Sequence, residues 1–225
     1  MKSTKKLVEK NRGLVICNIG AGKGKTTAAM GTCIRAAGAG MNVYIMQFVK
    51  AKVKDSADHT AEGEWPLSCE IDYLNEVSRM QDAIEQNKFT SPTLSLVKER
   101  NRKEIGQIKN EQVGLGFVGI LGDKKDKAAH VKAAKAGLKK AMKILQSGKW
   151  DVVFLDELIS ALEVGVLKEN DVVKLIKAKP KKVHLILTGH NKYEKVLELC
   201  DLVTKMEMVK HPYYKGILAQ RGIDY

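Results

Sequence analysis

Short runs of consecutive apolar residues alternate along this chain with longer runs whose apolar residues recur every three or four positions. Residues 13–19 (GLVICNI) and 42–49 (NVYIMQFV) are apolar without alternation, the pattern of strands buried on both faces. Between them, 25–37 has helical spacing and is closed by Gly38 and Gly40. The same reading predicts a lysine-coated helix at 126–146 and a strand at 150–155 (WDVVFL). A helix follows at 170–178, stopped before Pro180, then a strand at 183–188 (VHLILT). A short helix at 191–199 and a last strand at 202–209 complete the series, with weaker strand candidates at 71–74 and 115–121. Apolar strands alternating with helices predict an α/β fold: a mostly parallel sheet with helices on both faces.

One stretch breaks the rhythm. Tyr73, Val77, Met80 and Ile84 fall at helical spacing, as do Leu94, Val97, Ile105 and Ile108, and Ser91-Pro92 is a helix start. The spacing predicts a charged helical hairpin inserted at about 73–112, outside the main sheet. No linker divides the chain, so residues 1–225 are expected to form a single nucleotide-binding domain carrying that insertion.

The first strand and first helix are joined by Gly20-Ala21-Gly22-Lys23-Gly24-Lys25-Thr26-Thr27. This is the setting of a phosphate-binding P-loop: glycines let backbone N–H groups curl around phosphate oxygens, and the helix presents its positive end. Lys25 adds a movable charge for the outer phosphates, and Thr26 a hydroxyl for Mg²⁺. The loop is a variant, since the strict spacing wants glycine where Ile19 stands. A second element supports it. The apolar run Val152-Val153-Phe154-Leu155 ends in Asp156-Glu157, which places acids at the carboxyl edge of the sheet, where ligands of open α/β sheets bind. One of the two acids is expected to hold Mg²⁺, directly or through water; the sequence leaves open which.

Composition adjusts this picture only slightly. The formal charge is +13, but the excess is lysine; arginines number six and aromatics 5%. That is the profile of a solvated basic surface rather than a base-stacking platform, so nucleic acid is not the expected partner. Cysteines 17, 33, 69 and 200 form no C-x-x-C pair and no zinc spacing. Cys17 and Cys33 read as small buried apolar groups in a reducing compartment. No apolar run approaches membrane-span length and the basic N-terminus lacks an apolar signal core, so a soluble cytoplasmic protein is expected.

The chain resembles the P-loop class of ATP:cob(I)alamin, or corrinoid, adenosyltransferases. The resemblance rests on G-x-G-K-G-K-T-T followed by R-A-x-G-x-G, on Q-F-x-K at 47–50, and on GFVGILGDKKD and VVFLDEL. VHLILTGH and the ending K-H-P-x-x-x-G-I-x-A-Q-x-G-I-x-Y complete it. It implies a RecA-like sheet, a homodimer, and an electron-donating reductase as partner. It implies ATP as co-substrate, Mg²⁺, and transfer of the 5′-deoxyadenosyl group to corrinoid cobalt with triphosphate leaving. Lys25, Thr26 and Glu157 would then serve the chemistry, with Thr26, Asp156 and Glu157 at the metal. Residues 20–27, Arg35 and His190 would meet the nucleotide, and Phe117 the corrin. Three departures stand out. Ala21 replaces a polar loop residue, His190 stands where the family has arginine, and Gly119 replaces the second member of an aromatic pair with Phe117. Lys210-His211-Pro212 reads as a turn after the last strand. Competing readings are another P-loop ATPase or small-metabolite kinase, a nucleic-acid-dependent ATPase, and a non-catalytic ATP-binding regulator.

Overall fold

The structure is a computed structural model that describes residues 12–49, 73, 76–77, 79, 105–116, 118, 125–218, 220 and 222–223. Six strands form one sheet: β1 (Val15–Ile19), β2 (Val43–Gln47), β3 (Ile108–Gln112), β4 (Val152–Asp156), β5 (His184–Thr188) and β6 (Leu202–Lys205). Their order is β3-β2-β4-β5-β1-β6, and every pairing is parallel. The helices are α1 (Lys25–Gly38), α2 (Lys127–Gln146), α3 (Leu158–Glu163), α4 (Glu169–Lys177) and α5 (Glu194–Leu197), with a 3₁₀ turn at Pro212–Lys215.

Alternation along the strands sorts the core into two layers. Val43 and Ile45, Val152 and Phe154, Ile108, and Ile186 face Ala29, Met30, Cys33 and Ala37 of α1. Their neighbours Tyr44 and Met46, Val153 and Leu155, and Leu185 and Leu187 face the other way. There they meet Ala134, Ala141 and Leu145 of α2, Leu158 and Leu162 of α3, Val172 and Leu175 of α4, and Val196 of α5. The predicted α/β sheet with helices on both faces is therefore the fold observed. β5 lies between β4 and β1, the RecA-like arrangement in which the acid-bearing strand is one strand removed from the strand feeding the loop. Cys17 and Cys33 are buried as expected, and burial, with the charge of Asp156 behind it, pushes the Cys33 thiol up to about 12.

Two expectations need correction. The inserted hairpin does not run to residue 112, because Ile108–Gln112 is an edge strand paired with β2. Edge position explains its polar sequence, IKNEQ. Among the described residues its outer side meets no strand, and Glu111 accepts a hydrogen bond from the Tyr44 hydroxyl at 2.6 Å and pairs with Lys140 of α2. The strand expected at 115–121 does not begin there either, since residues 115, 116 and 118 lie outside any strand and the rest of that span lies outside the described residues. Tyr73, Glu76, Val77 and Arg79 are helical, while most of the remaining hairpin expectation lies outside the described residues. The hexapeptide helix α3 was not foreseen.

Candidate functional site

The loop after β1 is built by backbone conformation and by the strand beside it. Gly20 has φ 110° and Gly24 φ 100°, values that side-chain-bearing residues rarely adopt. A Cβ on Gly20 would lie 2.3 Å from the Met206 carbonyl oxygen. Gly20 N–H donates to the carbonyl of His190 at 2.9 Å, and Gly22 N–H to that of Met206 at 2.9 Å. The loop is thus sewn to the segments leaving β5 and β6. Gly24 then serves as the N-cap of α1, leaving the helix's first N–H groups directed toward the loop.

Lys25 opens α1 and is only 7% exposed. Its Nζ donates to the Gly22 carbonyl at 2.8 Å. Burial pulls its ammonium below the ordinary lysine value, against the opposing charges of Glu157 and Asp156. Thr26, one residue on, donates its hydroxyl to Asp156 Oδ1 at 2.8 Å. A hydroxyl whose proton is committed to a carboxylate keeps its lone pairs for a cation.

Asp156 is the last residue of β4 and is wholly buried. Its Oδ1 also accepts from the Thr188 hydroxyl at 2.8 Å, and its Oδ2 from Gln47 Nε2 at 3.3 Å. Gln47 Oε1 in turn accepts from Gln112 Nε2 at 3.3 Å. Strand register accounts for this. Gln112 stands opposite Gln47, Gln47 opposite Asp156, and Thr188 opposite Asn18. Each is where the row facing α1 reaches the carboxyl edge. Asn18 closes the row by donating to the Lys25 carbonyl at 3.3 Å. Five adjacent strands therefore end the α1-facing core in one polar belt, with Asp156 at its middle.

Glu157 follows with φ 58°, the one described non-glycine residue at positive φ. Its N–H donates to Thr188 Oγ1 at 2.8 Å, and its carboxylate accepts from the Ser160 hydroxyl. Burial pushes this carboxyl above its ordinary value and the Asp156 charge adds to that, while Ser160, His190 and Lys25 pull it back. A non-glycine residue held in so sparse a region stores backbone strain at the carboxyl edge of the sheet.

Of the residues singled out from sequence, Lys25, Thr26, Asp156, Glu157 and His190 come together around the loop. Lys23, Ala21 and Thr27 are exposed on it, and the His190 side chain is exposed. Arg35 is not brought there. It is exposed in the last turn of α1, about 15 Å along the helix from Lys25. Phe117 and Gly119 lie outside the described residues. Sequence reasoning missed Gln112, Thr188 and Asn18, and drew no role for Gln47 beyond its place in a motif. The signal was present: VYIMQ, IKNEQ, VVFLD and HLILT each end in a polar residue. Among the described residues no three His, Cys, Asp or Glu side chains gather to hold a metal. A hydroxyl and a carboxylate suit Mg²⁺, which keeps waters and takes phosphate oxygens rather than an all-protein cage.

The sequence matches the family described as ATP:corrinoid adenosyltransferase BtuR/CobO/CobP over residues 11–104 and 93–225. A corrinoid adenosyltransferase of Sinorhizobium sp. is 28% identical over 95% of this chain and 81% of its own length. One of Escherichia coli K12 is 29% identical over 95% of this chain and 86% of its own. Corrinoid adenosyltransferase CobA of Salmonella typhimurium is 29% identical over 96% and 88% respectively. Among solved structures, the ATPase EscN of an enteropathogenic E. coli type III secretion system aligns with a TM-score of 0.40 at 12% identity. That alignment covers 86% of this chain and 42% of EscN, too loose a likeness to add to the sheet topology.

Proposed function

The chain belongs to the ATP:corrinoid adenosyltransferase family, and on that premise we propose that it moves the 5′-deoxyadenosyl group of ATP to the Co(I) of a corrinoid. The observation that carries the reading is the meeting of Thr26 with Asp156 at 2.8 Å, across 130 residues of sequence. It joins the phosphate loop to the acid in a chain whose relatives bear this activity by name.

The cobalt electron pair forms the Co–C bond to C5′ of the ribose. The C5′–O bond breaks, and its electrons leave on inorganic triphosphate. No proton need move, so the protein's work is to hold a leaving group and stabilise its growing charge. Lys25 exchanges the Gly22 carbonyl for phosphate oxygens. Backbone N–H groups of residues 20–27 and the start of α1 cradle the rest. Thr26 presents its lone pairs to a cation while its O–H donates to Asp156, and Glu157 stands beside them. Mg²⁺, when bound there, neutralises phosphate charge. The exposed His190 imidazole is a nucleotide contact weaker than an arginine.

Three finer readings follow. A homodimer is supported by the exposed apolar residues of β6 and the segment after it, Leu202, Val203, Val209, Tyr213, Tyr214 and Leu218. A cytoplasmic setting is supported by the free thiols of Cys17, Cys33 and Cys200, and the need for Co(I) as nucleophile calls for an electron-donating reductase. Among described residues no helix is long and apolar enough to cross a membrane. Phe117 with Gly119 retains half of the family's aromatic pair, which suits an incomplete corrinoid lacking its lower base, such as cobinamide. Anaerobic incubation with ATP, Mg²⁺ and chemically reduced cobinamide or cobalamin tests the main reading. The expected result is the visible spectrum of the Co–C product; its absence with every reduced corrinoid overturns the reading.

A further inference from the structure

We propose that Gln47 is a positioning residue of the metal-phosphate site, fixing the Asp156 carboxylate, and that Gln112 fixes Gln47. The inference rests on the adenosyltransferase reading only in taking Asp156 to stand at the Mg²⁺ that accompanies ATP. Gln47 is fully buried at the end of β2, between two strands, and among the described residues its side chain bonds to Asp156 and Gln112.

The polarity of the contact is dictated by chemistry. The Gln47 NH₂ is the donor and the Asp156 carboxyl oxygen the acceptor. The Gln47 carbonyl oxygen then faces β3, where Gln112 supplies an NH₂. Each amide is oriented by the next group along the row, and the carboxylate sets the direction for both. Asp156 Oδ1 is held by two hydroxyls at 2.8 Å and Oδ2 by the Gln47 amide at 3.3 Å, so Gln47 adds the bond on the second oxygen that braces the carboxylate plane. Thr26 depends on that oxygen plane, because its hydroxyl proton goes to Oδ1 and its lone pairs are aimed accordingly. Gln47 therefore acts on the cation through Asp156 and Thr26. A hydrogen bond to a charged group in a buried site is among the stronger ones.

The test compares ATP affinity in saturating Mg²⁺ with ATP affinity in EDTA, by titration calorimetry on the full chain, for wild type, Gln47→Leu and Gln112→Leu. Gln47→Leu is expected to reduce the Mg²⁺-dependent gain in ATP affinity about 10- to 100-fold. The Mg²⁺-free affinity should stay within about twofold, since the lysine and loop amides are untouched. Gln112→Leu should change the gain in the same direction by less, because Gln47 keeps its bond to Asp156. A merely structural role would lower both affinities together along with the melting temperature. An unchanged Mg²⁺-dependent gain in Gln47→Leu, or a parallel fall in both affinities, overturns the proposal. If Gln47→Leu does not fold, Gln112→Leu decides by the same criterion. A wild type showing no Mg²⁺-dependent gain also overturns it. A wild type that shows the gain, lost in Gln47→Leu, yet forms no Co–C product refutes the adenosyltransferase reading and leaves this inference standing.

Discussion

Replacing Lys25 by alanine separates a phosphate-binding lysine from a structural one. In the folded chain the ammonium is nearly covered and donates to Gly22 O at 2.8 Å. Its removal forfeits that bond, worth about 0.5–1.5 kcal/mol net. It also relieves a buried charge whose affinity for its proton burial has lowered, so the bond's loss is partly offset. What remains is at most the worth of that bond, on the order of 1 kcal/mol. For a domain of this size that is about 2–4 °C in melting temperature. The activity consequence is far larger. A preorganised charge aimed at a departing triphosphate is worth about 2.7–4 kcal/mol of barrier, or about 10²–10³ in turnover. The assay is single-turnover formation of the Co–C bond at saturating ATP with Co(I) supplied chemically, run beside a thermal melt. Lys25→Ala should lose that factor in rate while melting within about 4 °C of wild type. Near-normal turnover refutes the phosphate role. A collapse of the melting temperature matching the loss of rate refutes the separation of function from stability.

Other perturbations have equally definite signs. Gly20→Ala should destabilise by about 1–3 kcal/mol and abolish nucleotide binding, because the new Cβ meets the Met206 carbonyl at 2.3 Å and φ is 110°. Urea denaturation and ATP titration read the two effects, and a variant that binds ATP normally would contradict the loop geometry. Thr188→Val removes one hydroxyl that both donates to Asp156 and accepts from Glu157 N–H. It takes one hydrogen bond from the buried Asp156 carboxylate and the acceptor from Glu157 N–H, for a loss of about 1–3 kcal/mol, and a change under about 0.5 kcal/mol in urea unfolding would rule out that account. His184 has its Nδ1 occupied as acceptor for Leu14 N–H at 3.2 Å. Burial and then Lys179 hold its pKa below 6.5, with Asp151 opposing. Its contribution is therefore fully present above 6.5 and lost as pH falls through the lower folded value. Melting temperature should fall on that acid limb, with a shallower fall in His184→Asn; identical slopes would remove His184 as the cause.

Much of this architecture could be read from the chain because the strands are buried on both faces. GLVICNI, NVYIMQFV, WDVVFL and VHLILT leave few alternatives to a parallel sheet. The loop, Lys25, Thr26 and the two acids were legible for a different reason, since phosphate chemistry restricts residue types locally. What escaped was set by tertiary neighbours. IKNEQ resembles a helix in spacing because an edge strand pairs on one side only, and its polar residues find Tyr44, Lys140 and Gln47 across the fold. LISALE is too short and too uniformly apolar to show a helical period, and the positive φ of Glu157 turns the chain into α3. The belt of Gln112, Gln47, Thr188 and Asn18 is invisible one strand at a time. A polar residue at a strand's end is commonplace until register aligns four of them beside one carboxylate.

The central claim is that this site releases triphosphate as the leaving group of an attack on carbon. Phosphorus NMR of a stoichiometric reaction between ATP and a chemically reduced corrinoid tests it most directly. The account requires inorganic triphosphate to appear one for one with the Co–C product, and only when Co(I) is present. Production of ADP or orthophosphate, or turnover of ATP indifferent to the corrinoid, would contradict it.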